Sequence, residues 1–479
     1  KKNRKNNVHF RQVKHEFKGG KAMGIYKRRL DGQEQPSMLG PLKLRLPFVH
    51  YKIELPDWIQ GAILAVVPMS ITAYMLDVLG IPFEIAIGFV IINNFLYLLH
   101  THFGDPSIAG WITAGIPLYV SFLLGFPEGE ARIQALIALQ AMVALIFLVM
   151  GLFRGAEFLV NKVPLSLKAG ILIGVGFAAV FNEFKADGRV WTMPTTILVG
   201  AALGFFMMFS KSAEPLRKKY SLFRFVAQYG IAVPFAIAYA FGILIGDIAP
   251  PKITWNIVPI HFGEIFSNYS IFGVGVPPLS MFLQALPLAI AAYIIAFGDV
   301  LVVSSLINRA NEVRKDEKIV FSASRNSIIV AIRNGLEALF MPFLGLAGPQ
   351  WTAGQALVTT RYMANSRKTV DSYWGGATGI FWGMSIALLL GPLVSLFQPG
   401  VAVGMTLTML IQGYLCGYLA MELLKDSSNL QRGIAVIVGT VLVAKGAAWG
   451  LAVGLVLWAL LEVDWANLRK KNEEPSVNA

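Results

Sequence analysis

Apolar runs of about 20 residues recur along most of this chain, and they constrain its fold more than any other feature. A helix needs about 20 mostly apolar residues to cross the hydrocarbon core of a bilayer. About fourteen such runs follow one another between residues 57 and 463. Only 14% of the 479 residues are charged and 55% are hydrophobic, whereas about 25% of a soluble domain is charged. The sequence therefore predicts an all-α polytopic membrane protein.

The formal net charge of +13 is concentrated at one end of the chain. Residues 1–52 hold 14 of the 41 Lys and Arg residues and three acidic residues. We interpret this segment as a basic cytoplasmic arm near anionic lipid headgroups. Docking onto a nucleic acid or a partner subunit is the alternative. A further 18 basic residues fall in alternate loops, which places both termini in the cytoplasm by the positive-inside rule and weakens the nucleic-acid interpretation. We expect a bacterial inner membrane protein.

The predicted organisation is two inverted halves of seven spans each. The basic arm, residues 1–52, precedes a first repeat over 53–248. An extracytoplasmic linker rich in Pro and aromatic residues covers 249–276, and the second repeat covers 277–465. Residues 466–479 form a cytoplasmic tail.

Two spans at corresponding places in the halves, the third and the tenth, are interrupted by Gly and Pro. Asp105-Pro106 and Gly110 interrupt the third span, and Gly348-Pro349 and Gly354 interrupt the tenth. Non-helical backbone is tolerated at membrane depth only where protein or a water-filled cavity satisfies it. Each broken span is predicted to consist of a short strand followed by a half-helix. Pro106 and Pro349 are predicted to lie in the first turns of the two half-helices. Paired broken spans indicate the substrate site of a transporter.

The candidate site residues lie in or beside these broken spans. Asp299 is the strongest, because an ionisable side chain in mid-span is costly and usually functional. It is predicted to contact substrate and to bind the coupling ion, H⁺ or Na⁺; the alternative is a structural carboxylate that caps backbone or pairs with Arg333 or Lys445. The other predicted substrate contacts are Trp111, Thr113, Gln350, Trp351, Thr352 and Gln355. For the two tryptophans, packing between helices is the alternative.

Other polar residues within the spans are expected to be structural. Arg333 and Glu337 lie four residues apart, a spacing that predicts an ion pair along one helix face. Asn93 and Asn94 are expected to join helices by hydrogen bonds. The two histidines of the second span, at 100 and 102, do not share a helix face, so no metal site is predicted. We expect no cofactor, and no assembled catalytic set indicates an enzyme.

Short motifs in the chain resemble the nucleobase/ascorbate transporter family, which includes the uracil and xanthine permeases. Residues 295–304, Ile-Ala-Phe-Gly-Asp-Val-Leu-Val-Val-Ser, resemble the eighth span of that family, with its Glu-x-x-Gly-Asp pattern. Residues 163–171 resemble the start of its fifth span, and Thr360-Arg361 and Gly375-Gly376 are similar too. Gly104-Asp105-Pro106-Ser107 resembles the third-span entry of sulfate permeases, which share the fold. The resemblance implies seven plus seven inverted spans, core and gate domains, and substrate between spans 1, 3, 8 and 10.

The chain departs from the family pattern at its substrate-binding residues. Ile295 stands where the family has a glutamate, and Gln350-Trp351-Thr352-Ala353 stands where it has Gln/Glu-Asn. The departure favours a different small polar or anionic solute, or a non-transporting relative. We therefore predict an alternating-access permease for such a solute, coupled to H⁺ or Na⁺. The alternative is an accessory or scaffold subunit of a membrane complex, and a homodimer is compatible with either.

Overall fold

The computed structural model describes residues 31–39, 43–153, 155, 163–220, 223 and 230–463. Most of the predicted basic arm and the tail over 466–479 lie outside the described residues. So do three basic residues of the expected inner loops, Arg154, Lys162 and Arg224.

The first half is helical apart from one short strand. Pro56 and Pro194 begin two of its helices, where the missing proline N–H costs no hydrogen bond. Gly80 and Gly246 end two others in left-handed backbone. Its elements are α1 (Leu55–Leu64), α2 (Val66–Met69), α3 (Thr72–Leu79), α4 (Phe83–Leu96), α5 (Leu98–His102), β1 (Gly110–Trp111), α6 (Ile116–Leu123), α7 (Glu130–Leu152), α8 (Leu165–Phe184), α9 (Pro194–Phe209), α10 (Ala213–Lys219) and α11 (Ala232–Ile245).

The linker and the second half follow the same pattern. Ser322, Ser372 and Ser428 cap three of the helices with their hydroxyl oxygens. The elements are α12 (Phe262–Tyr269), α13 (Ile271–Val274), α14 (Leu279–Val313), α15 (Ala323–Phe340), β2 (Ala347–Gly348), α16 (Thr352–Ala364), α17 (Tyr373–Leu388), α18 (Gly391–Phe397), α19 (Val401–Leu423), α20 (Asn429–Lys445) and α21 (Ala447–Leu457).

Six helical segments in the described part are long and apolar enough to cross a membrane. A seventh is possible if α9 and α10, which bend by 70°, form one span. Shorter apolar helices occupy Thr113–Leu123, Ala232–Ile245 and Ala447–Glu462. The chain is therefore an integral membrane protein, and the count of fourteen spans remains a prediction.

The helices pack into two bodies, and corresponding elements of the two halves make corresponding contacts. In the first body α1 packs on α17, and α14 packs on α7. In the second body α9 packs on α11, and α20 packs on α21. Helix α8 joins α19 and α20 at the centre of the second body. The first body also contains α3, α4, α15, α16 and both strands, and the second consists of α8, α9, α11, α19, α20 and α21.

The interruptions of the third and tenth spans are present, but the two prolines do not lie where we predicted. Pro106 and Pro349 belong to extended segments ahead of the half-helices, and their carbonyls accept hydrogen bonds from Tyr373 Oη (2.6 Å) and Asn326 Nδ2 (3.1 Å). The residue in the first turn of α6 is Pro117 instead. The prediction failed because the extended backbone continues past each proline, to Ile112 in the first broken span and to Trp351 in the second.

The described part of the arm, residues 31–39 and 43–52, packs on the first body. Arg45 is fully buried, its guanidinium lies 4.3 Å from the ring centroid of Trp374, and its backbone N–H donates to the His102 carbonyl (2.7 Å). Glu34 accepts from Lys43 and Arg45 at 2.6 and 2.9 Å. These hydrogen bonds outweigh the opposing effect of burial and lower the pKa of Glu34. We call this face of the molecule the arm side and the opposite face, where α3 and α8 end, the far side.

Candidate functional site

The two broken spans meet where their strands cross. β1 pairs with β2 in antiparallel register, with Gly110 opposite Gly348 and Trp111 opposite Ala347. Two further backbone hydrogen bonds extend the pairing, from Ile112 N to Leu346 O (3.1 Å) and from Trp351 N to Ile108 O (2.6 Å). The extended backbone of each broken span is thus satisfied by the other, as burial at membrane depth requires.

Glycine is needed at the crossing because the two backbones approach closely. A Cβ on Gly348 would lie 2.7 Å from the carbonyl carbon of Trp111. A Cβ on Gly110 would lie 2.8 Å from Cβ of Trp351. Neither neighbour can move without breaking the strand pairing, so the glycines fix how closely the spans approach.

A buried arginine holds the two strands from behind. Arg333 of α15 is fully buried and donates to the Gly348 carbonyl (3.2 Å) and the Gly110 carbonyl (3.4 Å), one from each strand. It also bonds His100 Nε2 (3.2 Å). The predicted ion pair with Glu337 is not formed: among the described residues no cation lies within ion-pair distance of that carboxylate, which accepts from Gln140 Nε2 (2.6 Å). The Arg333 guanidinium donates to the strand carbonyls instead.

Amide and carboxylate groups complete this support. Asn334 donates to the Ala347 carbonyl (2.8 Å) and accepts from its N–H (2.9 Å), so it holds β2 in place. On the arm side Asp105 accepts from His100 (2.6 Å), from the Ser107 hydroxyl (2.6 Å) and from Asn326 (2.8 Å). These side chains are at most 1% exposed. The crossing is therefore held by a dense network of buried hydrogen bonds.

The two half-helices run away from the crossing in opposite directions. A 3₁₀ turn over Thr113–Gly115 leads into α6, and α16 begins at Thr352. The first N–H groups of each helix have no intrahelical partner and carry a partial positive charge. The turn over Thr113–Gly115 contacts α14 of the first body and α8 and α19 of the second. The start of the first half-helix thus lies at the boundary between the bodies.

Asp299 lies beside the start of the second half-helix. The Thr352 hydroxyl donates to its carboxylate at 3.4 Å and accepts from Gln350 Nε2 at 3.0 Å. Thr352 and Gly298 are exposed, and Asp299 is half-buried. The structure therefore brings three predicted site residues, Asp299, Gln350 and Thr352, together at an accessible surface.

Neither predicted partner neutralises Asp299. Arg333 is committed to the strand carbonyls, and Lys445 is exposed at the end of α20. Within the ranges described, no cationic side chain lies within 4.0 Å of the Asp299 carboxylate. Among the residues that the structure describes, the hydrogen-bond partner of this carboxylate is the neutral Thr352 hydroxyl.

The remaining predicted site residues have different surroundings. Gln355 is fully buried, accepts from Ile108 N (2.7 Å) and donates to Tyr373 Oη (2.7 Å), so both ends of its amide are occupied by protein. Trp111 packs on Phe343 with ring centroids 5.5 Å apart, and Trp351 packs against Gly354. Thr113 is half-buried in the 3₁₀ turn. Only Thr113 of these four presents a side chain that is both polar and partly accessible.

The residues that hold the crossing are not among the predicted site residues. Arg333 is expected to be structural, and the sequence patterns did not single out Asn334 or Asn326. An arginine at membrane depth is rare enough to indicate a functional site by itself. The adjacent amide in Arg333-Asn334 strengthens that signal, since both reach backbone of the broken spans.

No protein-family model matches the sequence, and no curated protein does either. Solved structures do match. The transmembrane domain of a cyanobacterium bicarbonate transporter, BicA, is 15% identical with a TM-score of 0.51, and the match covers 82% of this chain and 96% of that one. SLC26A9 is 13% identical with a TM-score of 0.51, over 85% of this chain and 64% of that one.

A third match is murine Slc26a9, a Solute Carrier 26 anion transporter in its inward-facing state. It is 12% identical with a TM-score of 0.52, over 86% of this chain and 69% of that one. The nucleobase permease resemblance is not confirmed, although that family shares the fold. At these identities the likeness establishes the architecture: the chain has the fold of the membrane domains of anion transporters.

Proposed function

We propose that this protein is a secondary active transporter for a small anion. The observation that carries the proposal is the crossing, where two half-helices begin, the first of them at the boundary between the two helical bodies, and polar side chains are accessible. Half-helix N-termini at membrane depth bind anionic groups through their free N–H groups and partial charge. The similar structures are themselves described as anion or bicarbonate transporters. Ile295, a buried apolar residue, offers no carboxylate to a nucleobase.

We propose Asp299 as the coupling residue. An anion at the half-helix N-termini lies next to this carboxylate, and like charges repel strongly where water is scarce. The carboxylate must therefore bind H⁺, or a Na⁺ ion must lie beside it, when the anion is bound. The absence of a protein cation within 4.0 Å among the described residues supports this role. Because the anion binds poorly beside a charged Asp299 carboxylate, transport of the anion is linked to transport of the cation.

We propose Thr352 and Gln350 as the main side-chain contacts of the anion, and Thr113 as a weaker one. Buried Gln350 Oε1 has no hydrogen-bond partner among the described groups. An unpaired buried acceptor costs free energy. An anion that also carries a hydroxyl group, such as hydrogencarbonate, would satisfy this oxygen, and chloride cannot. We therefore expect hydrogencarbonate to be preferred over chloride.

The test is uptake into proteoliposomes. The solutes are hydrogencarbonate, chloride, sulfate and uracil, each with and without inward gradients of H⁺ and Na⁺. We expect uptake of at least one anion, stimulated by one of the gradients, and no uptake of uracil. A protein that reconstitutes correctly and moves none of the anions under any gradient contradicts the proposal.

A further inference from the structure

A cluster of polar residues joins the two bodies at the far side. It consists of Tyr74 and Asp77 of α3, Glu183 of α8, Arg189 of the following turn, and Thr406 of α19. Helix α3 packs on α4 of the first body, whereas α8 and α19 belong to the second. We call these five residues the far-side cluster.

The carboxylate of Glu183 is the centre of the cluster. It is fully buried and accepts from Tyr74 Oη (2.9 Å), Thr406 Oγ1 (2.9 Å) and Arg189 Nε (3.1 Å), and a second guanidinium nitrogen of Arg189 completes a two-point ion pair. A carboxylate that is removed from water needs this number of donors. The hydrogen bond from Tyr74 crosses from one body to the other.

The guanidinium of Arg189 makes two more contacts across the boundary. Its carbon lies 3.9 Å from the centroid of the Tyr74 ring, close enough for a cation–π interaction. Its Nη1 donates to Asp77 Oδ2 at 3.4 Å. Tyr74 and Asp77 lie on one face of α3, three residues apart. A single arginine therefore binds α8 and α3 together.

The arm side offers a contrast. The ion pairs of Arg361 with Glu54 and Asp57 join α16 to α1, both within the first body. Glu462 accepts hydrogen bonds from Ser166 and Gln431, all within the second. These polar contacts stabilise each body internally, whereas the far-side cluster connects the bodies.

We propose that the far-side cluster is a latch that holds the site closed to the far side and must open once in each transport cycle. The proposal rests on the proposed function, since only a transporter with alternating access needs the bodies to separate there. When the bodies separate, Glu183 and Arg189 are exposed to water together. Their charges are therefore compensated by the buried ion pair in the closed state and by water in the open state. Breaking only one partner leaves the other buried and unpaired.

The test is the accessibility of the site to a membrane-impermeant thiol reagent. The single cysteine, Cys416, is replaced in the variant Cys416→Ser, and Thr352→Cys then places a thiol at the site. We expect fast labelling from the arm side and slow labelling from the far side. Adding Glu183→Gln or Arg189→Gln should raise the far-side rate at least tenfold.

The same loop offers a matched control. Lys185 and Asp187 form an exposed ion pair at 3.4 Å, and Lys185→Gln should leave both labelling rates unchanged. Tyr74→Phe removes one hydroxyl and keeps the ring, so it tests the latch if the charge variants do not fold; we expect a threefold or greater rise.

Fast far-side labelling in the parent, or unchanged far-side rates in Glu183→Gln and Tyr74→Phe, would overturn the latch. The labelling needs no transported solute. Altered labelling in a protein that moves none of the anions would contradict the proposed function, and it would still show that the far-side cluster holds the two bodies together.

Discussion

The two broken spans share a backbone plan and differ in their side chains. In the first, the residues around the start of the half-helix, Ala114, Ile116 and Tyr119, are buried and mainly apolar. In the second, Thr352 is exposed and connects Gln350 to Asp299. Both halves therefore contribute equally to the backbone of the crossing. Most of the accessible polar side chains come from the second half.

The largest effect is expected where the halves are equivalent. In Gly348→Ala the new Cβ meets backbone of Trp111 at 2.7 Å, and in Gly110→Ala it meets Trp351 at 2.8 Å. Both variants should lose nearly all transport and about 3 kcal/mol of stability, the upper range for overpacking. Thermal unfolding in detergent and uptake measure this. Gly433→Ala, at a helical position with nothing within 4 Å, is the control, and equal behaviour of all three variants would refute the close approach.

The next effect belongs to the second half alone. Asp299→Asn removes the charge and keeps the shape, so the anion no longer needs a cation beside it. Gradient-driven uptake should fall at least tenfold, while exchange of anion for anion without a gradient continues. Uptake that remains driven by the same gradient would show that coupling resides elsewhere.

A matched pair of substitutions compares the half-helices directly. Thr352→Val should raise the apparent KM about tenfold, the effect of losing one hydrogen bond to a charged group. Thr113→Val should change it about twofold or less, because that hydroxyl is half-buried in the first half. Equal effects would mean that both halves contribute side-chain contacts equally.

The smallest effect on transport is expected for Gln355, which the sequence had placed in the site. Gln355→Leu leaves the buried Ile108 N–H without an acceptor and removes one donor to the Tyr373 hydroxyl, so the free energy of unfolding should fall by about 1–3 kcal/mol. The apparent KM should not change. A changed apparent KM with unchanged thermal stability would indicate that Gln355 contacts the anion.

The sequence predicted the interruptions of both spans, because closely spaced Gly and Pro break a helix within an otherwise apolar run. The sequence could not show that the Thr352 side chain is more exposed than that of Thr113, since exposure depends on how each half-helix packs. It also assigned Arg333 to Glu337, because a spacing of four is visible in sequence. The carbonyls that Arg333 binds come from strands that are 238 residues apart at their paired glycines, Gly110 and Gly348, and no local pattern records that contact.

A density map of the protein in lipid, with whichever anion the uptake assay identifies, tests the proposed binding site. We expect density for the anion between the start of α16 and the turn over Thr113–Gly115, within hydrogen-bonding distance of the Thr352 hydroxyl. Density for a transported anion at any other place, with this position empty, would contradict the proposed site.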